Sequence, residues 1–164
     1  LIAHALSLSP HVLLPYFNQP TVWLRLLHYP PLSTRKPTDQ WSAAPHTDYG
    51  FMTILAQDTV PGLEVQDAEG VWHLAPPIPD TFVLNVADMC ERMCDGRWPS
   101  SAHRVLNAGE KERFSIPYFF DPHIDCIIDR LPGIESRTSR DPVIFGEYVI
   151  ERLNRNYAYH HSAP

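Results

Sequence analysis

Two hydrophobic patterns divide the chain. Between Thr21 and Phe120 the apolar residues come in short runs or strict alternation, cut repeatedly by Pro and Gly; beyond Asp141 they recur at helical spacing. Thr21–Tyr29 is apolar and stops at Pro30-Pro31, which predicts a strand, and the polar, Pro-containing stretch Ser33–Ala44 predicts a loop. Phe51–Ala56 reads as a buried strand. Leu63–Gln66 and Val71–Leu74 flank Asp67-Ala68-Glu69-Gly70, a β-hairpin with its turn. Thr81–Val86, Arg104–Leu106 and Glu112–Phe120 read as further strands, the last two around Asn107–Glu110, and Ala87–Trp98 holds a helical turn. Residues 1–20, interrupted by Pro10, Pro15 and Pro20, predict a short helix and then a loop. Val143, Phe145, Val149, Ile150 and Leu153 predict a final helix over about 141–156, with Asp141 as N-cap and Pro142 in its first turn. Short strands followed by one late helix predict a mostly β protein, a double-sheet jelly roll or barrel, and not a βαβ fold.

Composition narrows the class. The 164 residues suit a single domain, with 44% hydrophobic and 20% charged residues, and 17 prolines argue against a helical bundle. A formal charge of −6 speaks against nucleic acid as a partner, because phosphate binding needs a concentrated basic surface. No run approaches the ~18 apolar residues of a membrane span, and no signal-peptide pattern opens the chain, so the expected setting is cytoplasmic. Three cysteines do not make a disulfide framework.

Nine histidines direct attention to metal chemistry. His46-Thr47-Asp48 sets an imidazole and a carboxylate two residues apart, on one face if the backbone is extended, and His103 follows at the start of the next β-rich stretch. Two histidines and one carboxylate on one face of an octahedral ion form the triad of non-haem Fe(II) oxygenases, leaving three adjacent positions open. The chain also contains decoys: His123-Ile124-Asp125 repeats His-x-Asp, and Arg113-Phe114-Ser115 and Arg137-Thr138-Ser139 both read Arg-x-Ser. Order separates them, since only the first series runs His-x-Asp, His, Arg-x-Ser.

Arg113 adds a second element. Arg113, Ser115, Pro117 and Phe119 alternate with Phe114, Ile116, Tyr118 and Phe120, so Arg113 and Ser115 share a strand face. A guanidinium pointing into a barrel needs an anion, and no acidic residue on that face supplies one; a small-molecule carboxylate, gripped by the planar Arg fork and the Ser115 hydroxyl, does. The competing reading is a surface salt bridge of Arg113 with Glu110 or Glu112.

The order Leu26–Pro31, His46-Thr47-Asp48-Tyr49-Gly50, Val60-Pro61-Gly62-Leu63, Gly96-Arg97-Trp98, His103-Arg104-Val105 and Arg113–Pro117 resembles the isopenicillin N synthase-like family of Fe(II)/2-oxoglutarate-dependent dioxygenases over roughly residues 21–120. The resemblance implies a double-stranded β-helix (jelly roll) with a C-terminal helix, and Fe(II) held by His46, Asp48 and His103. It implies 2-oxoglutarate as co-substrate, its distal carboxylate meeting Arg113 and Ser115 with help from Tyr29, and ascorbate in a supporting role. It implies an oxidoreductase that hydroxylates, desaturates or cyclises a small organic substrate with O2, in the manner of secondary metabolism. Two departures stand out: Leu27 where many members carry Asn, and Ala87 before Asp88 where Gly is usual. The chain opens on Leu1 without Met, and the family's long N-terminal segment is expected to lie largely outside these residues.

Two alternatives remain at this level. One is an oxidase using the iron triad without 2-oxoglutarate; the other is a non-catalytic jelly-roll module. Cys90 and Cys94 read as buried thiols and not as zinc ligands with His103, because structural zinc takes four ligands at tighter spacing. His28 and His73 read as core or surface residues, His160-His161 as solvated, and Glu147, Glu151, Arg152 and Arg155 as the wet face of the last helix.

Overall fold

The computed structural model describes residues 1–31, 41–106 and 110–157. After α1 (Ile2–Ala5) and a 3-10 turn (Pro10–Tyr16) come β1 (Thr21–Leu24), β2 (Leu27–Tyr29), β3 (Ala43–His46), β4 (Met52–Gln57), β5 (Leu63–Gln66), β6 (Trp72–Leu74) and β7 (Val83–Val86). Then follow α2 (Asp88–Met93), β8 (His103–Val105), β9 (Arg113–Asp121), β10 (Ile127–Ile128), β11 (Val143–Ile144) and α3 (Phe145–Tyr157). The larger sheet runs β1-β9-β4-β7 with β2 also on β9, the smaller runs β3-β8-β5-β6, and every pairing is antiparallel. From β3 to β9 the chain switches sheet at every connection except the β5–β6 hairpin, which is the jelly roll that the strand pattern predicts.

The single strand expected over Thr21–Tyr29 is two segments on one uninterrupted register, Thr21 opposite Asp121 through Tyr29 opposite Arg113. The gap at Arg25-Leu26 faces Pro117, which has no N–H for the ladder; Arg25 still donates its own N–H to the Pro117 carbonyl at 3.1 Å. The hairpin forms as expected, with Asp67 Oδ1 accepting the Glu69 and Val71 N–H groups and Gly70 in the left-handed region at φ +83°. β8 and β9, read as neighbours along the chain, lie in different sheets, and Asn107–Gly109 between them falls outside the described residues.

Two other boundaries differ from expectation. The segment read as loop to Ala44 contributes β3 from Ala43, because its partner is the distant β8 and no local pattern announces that pairing. The rest of that loop, Ser33–Gln40, and His160-His161 are outside the described residues. Asp141 and Pro142 do not open the last helix: Val143-Ile144 first pair with β10, and helix begins at Phe145. Tertiary pairing overrides a good local helix start.

The main apolar core lies beside the sheets. Met89, Cys90, Met93 and Cys94 form one stripe of α2 and pack with Leu6, Phe51, Ile128, Leu131, Ile134 and Phe145, each 6% exposed or less. At about 1.5–3 kcal/mol for each large side chain buried, this cluster anchors the N-terminal turns, α2 and α3 against the larger sheet. Both Cys90 and Cys94 are buried free thiols, as expected. Between the sheets the apolar cluster is small (Tyr29, Leu63, Val105), which leaves room for a cavity.

Strand β9 shows what that space is for. Its buried positions are Arg113, Ser115, Pro117 and Asp121, while Phe114 and Ile116 are 45% and 41% exposed. Polar side chains therefore face inward and apolar ones outward, the reverse of an ordinary half-buried strand.

Candidate active site

His46 ends β3 and His103 begins β8, and the two are register partners, so strand pairing alone sets their rings 4.3 Å apart between centroids. Asp48 lies in the turn between β3 and β4, and that turn, not strand alternation, swings its carboxylate back to the pair. Asp48 Oδ1 is 3.9 Å from His46 Nε2 and 3.6 Å from His103 Nε2, and one ligand atom from each of the three residues lies within 4.8 Å of the others. Among the described residues this is the one group of three or more His, Cys, Asp or Glu side chains able to hold a metal ion.

The donor set is prepared for a cation. His46 Nδ1 is 2.7 Å from the Ala44 carbonyl and His103 Nδ1 3.2 Å from the Ser101 carbonyl. A carbonyl only accepts, so each Nδ1 carries the proton and each Nε2 keeps its lone pair. Burial also lowers the pKa of His103, holding that ring neutral. The other Asp48 oxygen, Oδ2, accepts Thr53 Oγ1–H at 2.6 Å and Asn85 Nδ2–H at 2.7 Å. Thr53 and Asn85 are themselves register partners across β4 and β7, so each sheet contributes one cross-strand pair: imidazoles from the smaller, carboxylate holders from the larger. Neither holder is marked by a sequence motif.

From the same cavity wall, Arg113 is 0% exposed. Its Nε donates to the Val60 carbonyl at 3.2 Å and its Nη2 to Gln57 Oε1 at 2.9 Å, and its guanidinium lies 5.2 Å from the Tyr29 ring centroid. These partners are all uncharged, and buried Nη1 has no hydrogen-bond partner among the described residues. The surface salt-bridge reading fails: Glu112 pairs instead with exposed His28 at 3.1 Å, Glu110 is exposed, and Arg113 forms no ion pair among the described residues. Gly62 lets the backbone come close here, since a Cβ would sit 2.7 Å from the Leu106 carbonyl oxygen and 3.2 Å from Arg113 Cδ. Ser115, also buried, and Tyr29 line the same lobe of about 210 Å³, together with Leu27, His46, Asp48 and His103. All six residues singled out in the sequence thus meet on one cavity.

The decoys do not. His123 Nδ1 accepts the Asp125 N–H in a local turn, and Thr138 bonds the Asp95 carboxylate. Ala87 adopts φ −112°, ψ 174°, an extended conformation open to any residue, so glycine is not required before Asp88.

One sequence expectation is overturned near the site. Arg152, read as part of the wet face of the last helix, is half-buried: Nη2 donates to Thr47 Oγ1 at 2.9 Å, and Nη1 meets Asp88 Oδ2 at 3.0 Å and the Tyr148 hydroxyl oxygen at 3.0 Å. Its guanidinium also lies 4.7 Å from the Tyr49 ring centroid. Tyr148, pushed up to about 12 by burial and by Asp88, keeps its proton and donates it to Asp88 Oδ2, while the Asp88 N–H bonds the Asp48 carbonyl at 3.0 Å. Helix α3 thereby pins the residue between His46 and Asp48. The i, i+4 spacing of Tyr148 and Arg152 is visible in the sequence, but nothing there points to Thr47. Glu147, Glu151 and Arg155 are exposed as expected.

Comparison with known proteins agrees with this geometry. The chain is 38% identical to the 2-oxoglutarate-dependent dioxygenase citB of Monascus ruber over 96% of its own length and 49% of that protein. It is likewise 38% identical to the clavatol oxidase claD of Penicillium crustosum, over 96% of this chain and 48% of that one. The structure superposes on a full-length Neurospora crassa protein in complex with alpha-KG and thymine with a TM-score of 0.87 at 30% identity, covering 94% of this chain and 50% of that one. The chain spans about half the length of the curated relatives it matches. Residues 20–122, from the start of the first strand to just past β9, match the model of the 2OG-Fe(II) oxygenase superfamily, and the chain belongs to that superfamily.

Proposed function

We propose that the chain carries the reaction site of an Fe(II)- and 2-oxoglutarate-dependent dioxygenase acting on a small organic substrate. The observation that carries this reading is Arg113: a fully buried cation with only neutral partners among the described residues and an orphaned Nη1, on the wall of the lobe that holds His46, Asp48 and His103. A buried charge in that state calls for a ligand carboxylate. The thymine bound in the Neurospora crassa neighbour supports the substrate class.

In this reading His46 and His103 offer neutral Nε2 atoms and Asp48 its free Oδ1 to Fe(II), while Thr53 and Asn85 keep the carboxylate from turning. Arg113 takes the distal carboxylate of 2-oxoglutarate, the Ser115 hydroxyl donates a further hydrogen bond, and the Tyr29 ring backs the guanidinium. Leu27, Leu63 and Val105 line the lobe with apolar surface and keep water from the charge pair. When bound, iron and 2-oxoglutarate together activate O2 to oxidise an unactivated C–H bond, releasing succinate and CO2. The side chains contribute ligand geometry, anion recognition and exclusion of water.

Anaerobic titration of the Fe(II)-loaded chain with 2-oxoglutarate tests this. A visible charge-transfer band, followed by succinate release on admitting O2 in the presence of ascorbate, is expected. Absence of the band overturns the site assignment. O2 consumption without 2-oxoglutarate turns the assignment toward an oxidase, and a band with no turnover toward a non-catalytic module.

A further inference from the structure

A second lobe of about 380 Å³ opens from the other side of the His46–Asp48 pair. That volume falls near the lower end of small-molecule sites, ~300–1,000 Å³. Its walls are apolar and largely aromatic, with Trp23, Phe119, Phe145 and Leu153 among them. At its junction with the first lobe stands Arg25, which lines both.

Arg25 is not an ordinary surface arginine. It follows β1 on the register that pairs Thr21–Leu24 and Leu27–Tyr29 with β9, so it shares the inward face of Trp23, Leu27 and Tyr29. Among the described residues its side chain makes no hydrogen bond, ion pair or ring contact, whereas Arg104, Arg113, Arg140, Arg152 and Arg155 each make at least one. An anion in the first lobe has Arg113 at hand. The cation at the junction is left for a different ligand, one whose body fills an apolar lobe.

We propose that the second lobe is the primary-substrate site, and that it takes a ring-bearing organic anion whose carboxylate or phenolate oxygen is gripped by Arg25. The ring lies against Trp23 and Phe119, where planar apolar surface is buried without leaving a polar group unpaired. The planar Arg fork matches a carboxylate with two parallel N–H···O bonds and so fixes which edge of the ring faces His46 and Asp48. This rests on the function just proposed for the neighbouring lobe.

The test uses the full chain and an isosteric pair of probes, 1-naphthoate and 1-naphthamide, followed by quenching of tryptophan fluorescence with and without saturating 2-oxoglutarate. Naphthoate is expected to bind at least tenfold more tightly than naphthamide in both conditions. Arg25→Gln brings the two probes within twofold of each other while changing 2-oxoglutarate affinity less than twofold. Leu153→Glu, a change at a partly exposed position that introduces a carboxylate into the lobe, weakens naphthoate binding more than tenfold. Equal binding of the two probes, a preference that survives in R25Q, or competition between naphthoate and 2-oxoglutarate overturns the proposal. An Arg25-dependent preference in a chain that fails to bind 2-oxoglutarate upholds this lobe and overturns the reading of the first.

Discussion

Two arginines flank the His46–Asp48 loop and end in opposite states. At the α3 junction, Arg152 reaches Thr47, Tyr148, Asp88 and the face of Tyr49, so its charge and its donors are matched within the chain. At the far end of the cavity Arg113 is more deeply buried, yet it meets a carbonyl, an amide and a ring, and keeps one N–H group orphaned among the described residues. A satisfied buried charge is a structural clamp; an unsatisfied one marks a place where a ligand completes the structure. Asp121 is the acidic counterpart of Arg113. It is 7% exposed, accepts the Phe51 N–H at 2.7 Å with no cation paired to it among the described residues, and sits where a Cβ on Gly50 would strike it.

The contrast can be broken first at Arg113. Arg113→Ala should raise the 2-oxoglutarate concentration needed for half-saturation by roughly a hundredfold or more, the scale of losing a buried charge pair. Fe(II) affinity, read by anaerobic calorimetry, should change less than about threefold, because the ligands and their backbone acceptors are untouched. An unchanged 2-oxoglutarate requirement would remove the distinction between the two arginines.

Asp121 offers the next largest effect. Desolvation lifts its carboxyl from the ordinary 3.8 to about 6, with the Phe51 N–H opposing and the Asp48 charge adding to the rise. The folded chain thus holds this proton more tightly than the unfolded one. Its stabilising contribution is full below about pH 4 and is lost as pH rises through about 6. At 1.36 kcal/mol per unit the loss is on the order of 3 kcal/mol in the metal-free chain. Denaturant titrations at pH 4 and pH 7 should show it, and Asp121→Asn, which keeps an acceptor for Phe51, should flatten the difference. Equal pH dependence in the two proteins would refute it.

Smaller effects sharpen the satisfied side. Thr53→Val removes one of the two donors to Asp48 Oδ2 and should weaken Co(II) or Fe(II) binding roughly 10–100-fold, as for other groups that orient metal ligands. Thr53→Ser should restore most of the affinity. Arg152→Gln should cost about 1–2 kcal/mol in thermal or denaturant unfolding and lower metal affinity only a few-fold, with 2-oxoglutarate affinity at saturating metal unchanged. If Arg152→Gln instead abolished 2-oxoglutarate binding, the two arginines would belong to one site.

How far these features were legible depends on the kind of interaction. Alternation along Arg113–Phe120 put Arg113 and Ser115 on one face, and the need to neutralise a buried guanidinium said which face was functional, even though hydrophobicity alone chooses the opposite one. The hairpin at Asp67–Gly70 was legible because its turn chemistry is local. The start of the last helix was misread because the competing partner of Val143-Ile144, β10, lies across the chain. Arg152 was misread for a similar reason: helical periodicity groups it with Glu151 and Arg155, and only the docking of α3 onto the metal loop separates them.

The order of chemically distinctive residues along the chain therefore determined the family, the candidate ligands and the anion clamp, since those depend on residue type and on short-range strand geometry. The tertiary structure alone decided how they act together. It made His46 and His103 register partners, set Thr53 and Asn85 behind Asp48, satisfied Arg152 and left Arg113 wanting. Those outcomes come from pairings between residues tens of positions apart, and the energy of such a pairing is settled by which groups meet after the chain has folded, information that no local pattern contains.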